Sequence, residues 1–246
     1  MQKFEYRAMY DVEEKHWWFV ARRLFLSTIL QKIVFKQRKI VDIGSGTGGM
    51  IRFLGKYGNV VGIEPNVVGR ILAKKRGIIL RPGDAEHTKL ASKGYDIVCF
   101  FDVLYHQGIV DTRALIEAKR ILRPGGLLII TDCALPFLDG PHDRAVEGRE
   151  RYTLSHLVKK VRRAGFGIER KTYMYFLLFP VVVVKRLIDR FVVPSNTMHS
   201  DVKPVASWVN VICMVVTSLE AVGLRWFSYP WGSSVCIVAR APGGMK

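Results

Sequence analysis

Asp42, Gly44, Gly46 and Gly48 stand at alternate positions behind the β-branched pair Ile40-Val41, a spacing suited to holding a nucleotide. β-branched residues favour a strand, and glycines at this density stop it. Glycine also reaches positive φ and lets a ligand approach the main chain closely. Ser45, between the first two glycines, is small as well. Met50-Ile51-Arg52-Phe53-Leu54 then starts a helix. A strand, a glycine turn and a helix N-terminus together make a nucleotide-binding crevice. The order Asp-x-Gly-x-Gly-x-Gly differs from the Gly-x-Gly-x-x-Gly of dinucleotide enzymes, which disfavours a nicotinamide oxidoreductase.

Further acids stand where strands are expected to end. Glu64, before Pro65, closes the run Val60–Ile63 and falls 18 residues after Gly46. An acid there can accept from both ribose hydroxyls. Asp84, before Ala85, closes a third expected strand over 78–85, where it can accept from an exocyclic adenine amine. A fourth strand begins at Tyr95 and runs through Phe101 into the loop Asp102-Val103-Leu104-Tyr105-His106.

The elements that position these residues alternate strand and helix. Residues 111–122 carry Leu115, Ala118, Ile121 and Leu122 at helical spacing. Arg123-Pro124-Gly125-Gly126 closes that helix, and Leu127–Ile130 is a fifth strand. Residues 167–173 read as a sixth strand and 234–239 as a seventh.

This ordered set resembles the class I S-adenosylmethionine-dependent methyltransferases, in particular the group with a glycine loop, an acidic second strand and "DVLxH" and "LRPGG" landmarks. The resemblance covers about residues 14–240 and is most specific over 40–131. It implies an α/β, Rossmann-like fold: a seven-stranded, mostly parallel sheet with an antiparallel last strand. Residues 1–35 would form an N-terminal helical lid and 36–173 the cofactor-binding core. Residues 174–232 would form an apolar helical insert between strands six and seven, and 233–246 the last strand and tail. The cofactor loop would be Asp42, Gly44, Ser45, Gly46 and Gly48, with Glu64 and Pro65 at the ribose. Asp84 and Ala85 would lie at the adenine, and Phe101, Asp102 and Val103 along the inner wall. S-adenosylmethionine would be consumed and S-adenosylhomocysteine released.

The string His16-Trp17-Trp18 followed by Arg22-Arg23 resembles the opening of that group, and Leu26, Ile29, Leu30 and Ile33 continue it as a helical stripe. A sulfonium cation favours aromatic faces, so Tyr6, Trp17 or Trp18 can line its methyl end. Arg22 or Arg23 can meet the methionyl carboxylate bidentately. Trp18 and Arg22 are the leading pair.

Methyl transfer to a hydroxyl needs a base for the departing proton. His106 follows the fourth strand, on the edge where open α/β sheets bind ligands. His142, in Leu138-Asp139-Gly140-Pro141-His142-Asp143-Arg144, is the second candidate. Tyr105, Asp143, Arg151 and Tyr152 join the two histidines as candidate acceptor ligands, though Arg151 and Tyr152 equally suit bracing the loop. No metal is expected, because Asp102 and Asp132 alone do not make the oxygen set Mg²⁺ prefers.

The 246 residues suit one α/β domain with an extra subdomain, and nearly half are hydrophobic. Cys99, Cys133, Cys213 and Cys236 show no C-x-x-C spacing and read as reduced thiols. Met1-Gln2-Lys3-Phe4-Glu5 lacks an apolar leader, so a cytoplasmic setting is expected. The net charge of +17, with clusters at 36–39, 74–76, 159–163 and 185–186, attracts anions. Nucleic acid is not favoured, because the Asn/Asp-Pro-Pro-Tyr/Phe signature of base-modifying enzymes is absent after strand four. The runs Met174–Val184 and Val205–Leu219 are shorter than the roughly 20 residues of a spanning helix. They would cover the acceptor pocket, form a homodimer face or lie on an anionic membrane as a peripheral contact. The acceptor is expected to be a small-molecule, natural-product or lipid-like compound methylated at oxygen or nitrogen. The alternatives are an RNA or protein methyltransferase and a non-catalytic cofactor-binding partner.

Overall fold

The computed structural model describes residues 1–31, 37–192, 194 and 201–243. Ile33, Lys36 and the expected boundary at 35/36 lie outside the described residues. Among the described residues, six strands form one sheet: β1 (Arg38–Ile43), β2 (Gly58–Ile63), β3 (Tyr95–Phe101), β4 (Leu122–Cys133), β5 (Gly167–Met174) and β6 (Ser234–Arg240). Their order is β2-β1-β3-β4-β6-β5, parallel except that β6 runs antiparallel to both β4 and β5. The antiparallel last strand is as expected.

The third expected strand, over 78–85, does not form among the described residues. Arg81 alone bridges Ile63, exchanging Arg81 N–H to Gly62 O and Glu64 N–H to Arg81 O. Pro82 then removes a donor and Gly83 gives no side chain to pack, so the ladder stops there. Another difference lies at Arg123–Gly126. It was expected to close the helix ahead of a strand over 127–130, but α5 (Asp111–Ile121) passes directly into β4, which starts at Leu122 and crosses a register shift.

The inner strands β1, β3, β4 and β6 are buried on both faces over most of their length, as a sheet covered on both sides requires, whereas the edge strand β5 carries Glu169, Arg170 and Lys171. Alternate residues point to opposite layers. Val41, Ile43, Val98, Phe100, Leu128 and Ile130 share one core with Ala114, Leu115 and Ala118 of α5 and Leu157 and Val161 of α7 (Leu154–Arg163). Ile40, Ile97, Cys99, Leu127 and Ile129 face the other way, onto Phe25, Leu26 and Ile29 of α2 (Trp17–Leu30) and Phe53 and Leu54 of α3 (Gly49–Leu54). α1 (Lys3–Val12) lies against α4 (Val67–Lys75). The short α6 spans Pro141–Ala145, and α8 (Phe179–Val192) and α9 (Ser207–Gly223) lie between β5 and β6. Among the described residues, no helix is long and apolar enough to cross a membrane.

The strand order reverses between β1 and β3, since β2 and β3 flank β1 on opposite sides. The carboxyl ends of strands at such a switch point open a crevice.

Candidate functional site

That crevice is a cavity of about 400 Å³. Its floor is the turn after β1. Gly44, Gly46 and Gly48 adopt φ of +75°, +57° and +86°, which L side chains rarely adopt. A Cβ at Gly44 would stand 2.5 Å from Val103 Cγ2, and one at Gly46 would stand 2.7 Å from Met9 Cε. The turn is tied down by Gly44 N–H and Ser45 N–H, which both donate to Ile63 O, and by Ser45 Oγ donating to Asp42 O. Gly48 caps α3 and packs near Ile78 rather than lining the cavity.

Glu64 projects from the end of β2 and is 2% exposed. Its Oε1 accepts from Tyr6 Oη (2.9 Å) and Asn66 N–H (2.9 Å), and its Oε2 accepts from Gly46 N–H (2.8 Å). Burial raises its pKa despite these donors. Pro65, Asp84 and Ala85 continue the wall at this end. Asp84 is largely exposed, and its Oδ1 caps the turn by accepting from Glu86 N–H and His87 N–H.

Deeper in the cavity, Asp42 is 1% exposed and its Oδ2 has no partner among the described residues. Burial pushes its pKa up to about 7. Arg22, from α2, reaches across to Asp102, with Nη1 donating to Oδ2 at 2.6 Å. Its guanidinium lies 4.4 Å over the Trp18 ring and 5.4 Å from Phe19, while its buried Nε has no partner. Trp18 is fixed in turn by stacking on Tyr175, whose hydroxyl donates to Trp18 O. Trp17 meets Tyr175 edge-on and is not in the cavity wall, whereas Arg23 is, with its guanidinium on Glu13 O and Glu14 O. Phe101, Asp102 and Val103 complete the inner wall.

Tyr105, His106, Ile109, His142, Val146 and Val202 line the opposite end. Burial pushes the His106 pKa down to about 4, so the ring is neutral near pH 7. Its buried Nδ1 has no partner. Burial also lowers the His142 pKa. His142 Nδ1 accepts from Asp201 N–H at 3.3 Å, which leaves the proton of the neutral ring on Nε2.

Three expected acceptor ligands are not in the cavity wall. Asp143 and Arg151 form a buried bidentate pair (2.8 and 3.0 Å); Asp143 also accepts from Gly140 N–H, and Arg151 donates to Ala134 O. Tyr152 is fully buried, with its hydroxyl on Leu104 O and Asp111 Oδ2. Their polar atoms are paired within and beneath the 140–152 loop, as bracing of that loop requires, and none of the three lines the cavity.

α1 contributes wall residues that sequence reading largely missed. Tyr6 was considered for the methyl end but bonds to Glu64 instead. Met9 and Glu13 were not singled out. The three follow i, i+3, i+7 spacing and so share a face. Glu13 pairs with Arg76 and accepts from Thr47 Oγ1.

Among the described residues, donor atoms of Asp102, Asp132 and Cys133 lie within 4.8 Å of one another. Burial holds the Asp132 carboxyl and Cys133 thiol well above their ordinary pKa values. Arg22 already neutralises Asp102. Metal ligands must be deprotonated, so this trio is a poor cation site.

A family model for a methyltransferase domain matches residues 41–130. Over 104 residues the chain is 26% identical to a sarcosine/dimethylglycine N-methyltransferase of Aphanothece halophytica. That match spans 38% of this chain and only 37% of the relative. A chain of the complex between the Haloferax volcanii Trm112 methyltransferase activator and a methyltransferase superposes with TM-score 0.64. It is 18% identical, with 99% of this chain and 98% of that one covered. An S-adenosylmethionine-dependent methyltransferase of Thermotoga maritima superposes at 0.57, 23% identical, with 96% and 99% covered. At these identities the structural likeness establishes the fold.

Proposed function

We propose that this chain is a class I S-adenosylmethionine-dependent methyltransferase that methylates an oxygen or nitrogen of a small-molecule or lipid-like acceptor, a reading supported by the methyltransferase-domain match over 41–130 and by the fold. The observation that carries this reading is a set of unmet buried polar atoms in one cavity. Asp42 Oδ2 is an acceptor without a donor, and Arg22 Nε is a donor without an acceptor. A buried group left unpaired costs about 1–3 kcal/mol, so a ligand that pairs both gains that much at each. The methionyl head of S-adenosylmethionine carries an ammonium for Asp42 and a carboxylate for Arg22. Glu64 stands at the ribose end, and Asp84 and Ala85 at the adenine end.

When bound, S-adenosylmethionine supplies an electrophilic methyl on a sulfonium. The chain's own residues bind, orient and deprotonate. The Trp18 ring, fixed by Tyr175, offers an aromatic face to a cation. His106 is neutral near pH 7 and able to accept the proton an acceptor hydroxyl or ammonium loses. His142 donates from Nε2 and orients the acceptor. Most of the rate gain comes from holding acceptor and donor in line.

The acceptor end mixes the two histidines with Ile109, Val146 and Val202, which suits a partly apolar compound. The named activity of the Aphanothece halophytica relative supports a small-molecule acceptor. The test is incubation with methyl-labelled cofactor and fractionated cell extract. Label in a small or lipid-soluble product supports this reading. Label in RNA or protein supports the alternative that the charge of +17 favours.

A further inference from the structure

α9 turns an uncharged face to solvent. Trp208, Val211, Ile212, Val215, Leu219 and Val222 are exposed at i, i+3, i+4, i+7, i+11 and i+14, one stripe about 21 Å long. The opposite face buries Thr217, Glu220 and Ala221 and packs on α2. α8 presents a second stripe through Val184, Leu187, Ile188 and Phe191, the last 88% exposed. Monomeric soluble surfaces seldom leave so much contiguous apolar area open, and such an area marks a contact.

We propose that α8 and α9 dock on the surface of an anionic lipid bilayer, lying in the interface without spanning it. Charge favours a leaflet over a second copy. Segment 174–232 carries five basic residues against three acids, and one of those, Glu220, is buried. Lys203 and Arg225 bracket α9. Pairing this face with its own copy would press two bodies of +17 together, whereas an anionic leaflet attracts each of them. The aromatic placement agrees. Trp208 lies in the first turn of α9 and Trp226 follows its end, 69% and 68% exposed, and tryptophan concentrates at the membrane–water boundary.

The stripes adjoin the acceptor end of the cavity. Arg186 of α8 packs against Gly140 and bonds Asp201 Oδ2 at 2.6 Å, and Asp201 N–H donates to His142. Val202 and His142 are in the cavity wall. Docking therefore sets the acceptor end beside the leaflet, an assignment that rests on the methyl-transfer reading, while the docking itself does not.

The test is co-sedimentation of the full chain, without cofactor, with phosphatidylcholine vesicles and with vesicles containing about one third phosphatidylglycerol. The expected result is binding to the anionic vesicles at least about tenfold tighter than to the neutral ones, weakened by salt, with a blue shift of tryptophan emission. Ile212→Glu is expected to lose about tenfold or more in vesicle affinity while binding S-adenosylmethionine as the parent does. Absence of binding to anionic vesicles overturns the proposal, as does undiminished binding by Ile212→Glu. A dimer in solution that Ile212→Glu disperses, with no vesicle binding, overturns it in favour of a second copy. Vesicle binding by a protein that fails to bind S-adenosylmethionine would instead sink the methyl-transfer reading and leave the docking standing.

Discussion

Tyr6 Oη donates to Glu64 Oε1 at 2.9 Å, and this bond clasps α1 over the nucleotide end of the cavity. Met1 N to Glu147 at 2.7 Å and the Glu13–Arg76 pair hold the same segment at either side. A carboxylate offers about four acceptor sites. Tyr6, Asn66 and Gly46 already use three on Glu64. A ribose diol that donates twice must therefore displace the Tyr6 hydroxyl.

Tyr6→Phe is accordingly expected to tighten S-adenosylmethionine binding by about threefold to tenfold, the worth of one hydrogen bond that no longer has to be broken. Titration calorimetry on the parent and the variant checks this. An unchanged Kd would mean that the ribose does not compete for Oε1.

Asp42 predicts a proton count. Burial holds its pKa at about 7, so near pH 7 about half the molecules carry the proton. An ammonium brought against Oδ2 stabilises the carboxylate, so binding expels about half a proton at pH 7 and almost none at pH 9. Calorimetry in buffers of different ionisation enthalpy measures this number. The stability consequence has the opposite sense to an ordinary salt-bridged acid. The raised pKa makes the folded chain hold the proton longer, so Asp42 lowers stability as pH climbs from about 4 to 7. Asp42→Asn removes that dependence.

His106 predicts a pH profile. With S-adenosylmethionine saturating, so that Asp42 is already ionised, a base with its pKa at about 4 keeps kcat/KM for the acceptor level down to pH 5, where an ordinary histidine would already be protonated. His106→Ala is expected to lower kcat by about 10²- to 10⁴-fold. His142→Ala, which removes a donor rather than a base, is expected to act mainly on KM. Full activity in His106→Ala would remove it as the base. The depressed pKa also ties stability to His106. That contribution is full above about pH 6.5 and is lost as pH falls towards 4.

Asp143→Ala leaves the Arg151 guanidinium buried and unpaired, and it is expected to cost about 3–5 kcal/mol in denaturant unfolding. The double replacement Asp143→Leu with Arg151→Met is expected to recover much of this. A variant that keeps its stability and loses acceptor turnover would return Asp143 to the acceptor site.

The glycine turn, Glu64 and the loop after β3 were legible in the sequence because each is a local device. A β-branched run followed by glycine stops within a few residues, whatever packs around it. The expected strand at 78–85 failed for a local reason too: Pro82 and Gly83 stand inside the run that Asp84 was expected to close, and they cut the ladder after Arg81. Tyr152 failed for another reason. Its distance in sequence from His142 is short, but its hydroxyl points inward to Leu104 O and Asp111. The Tyr6–Glu64 bond spans 58 positions, and no periodicity links residues on separate elements across the sheet. The order of His106 before His142 as base was legible from the edge of the sheet, but the Asp201 N–H that occupies His142 Nδ1 is a contact no motif encodes.

The central claim is that the cavity between Asp42, Arg22 and Glu64 binds S-adenosylmethionine. Calorimetric titration of the full chain with S-adenosylmethionine and, separately, with NADH tests it most directly. The account predicts saturable binding of S-adenosylmethionine at one site, weakened about tenfold or more by Asp42→Asn, and no heat from NADH. Tight NADH binding with no S-adenosylmethionine binding would contradict it.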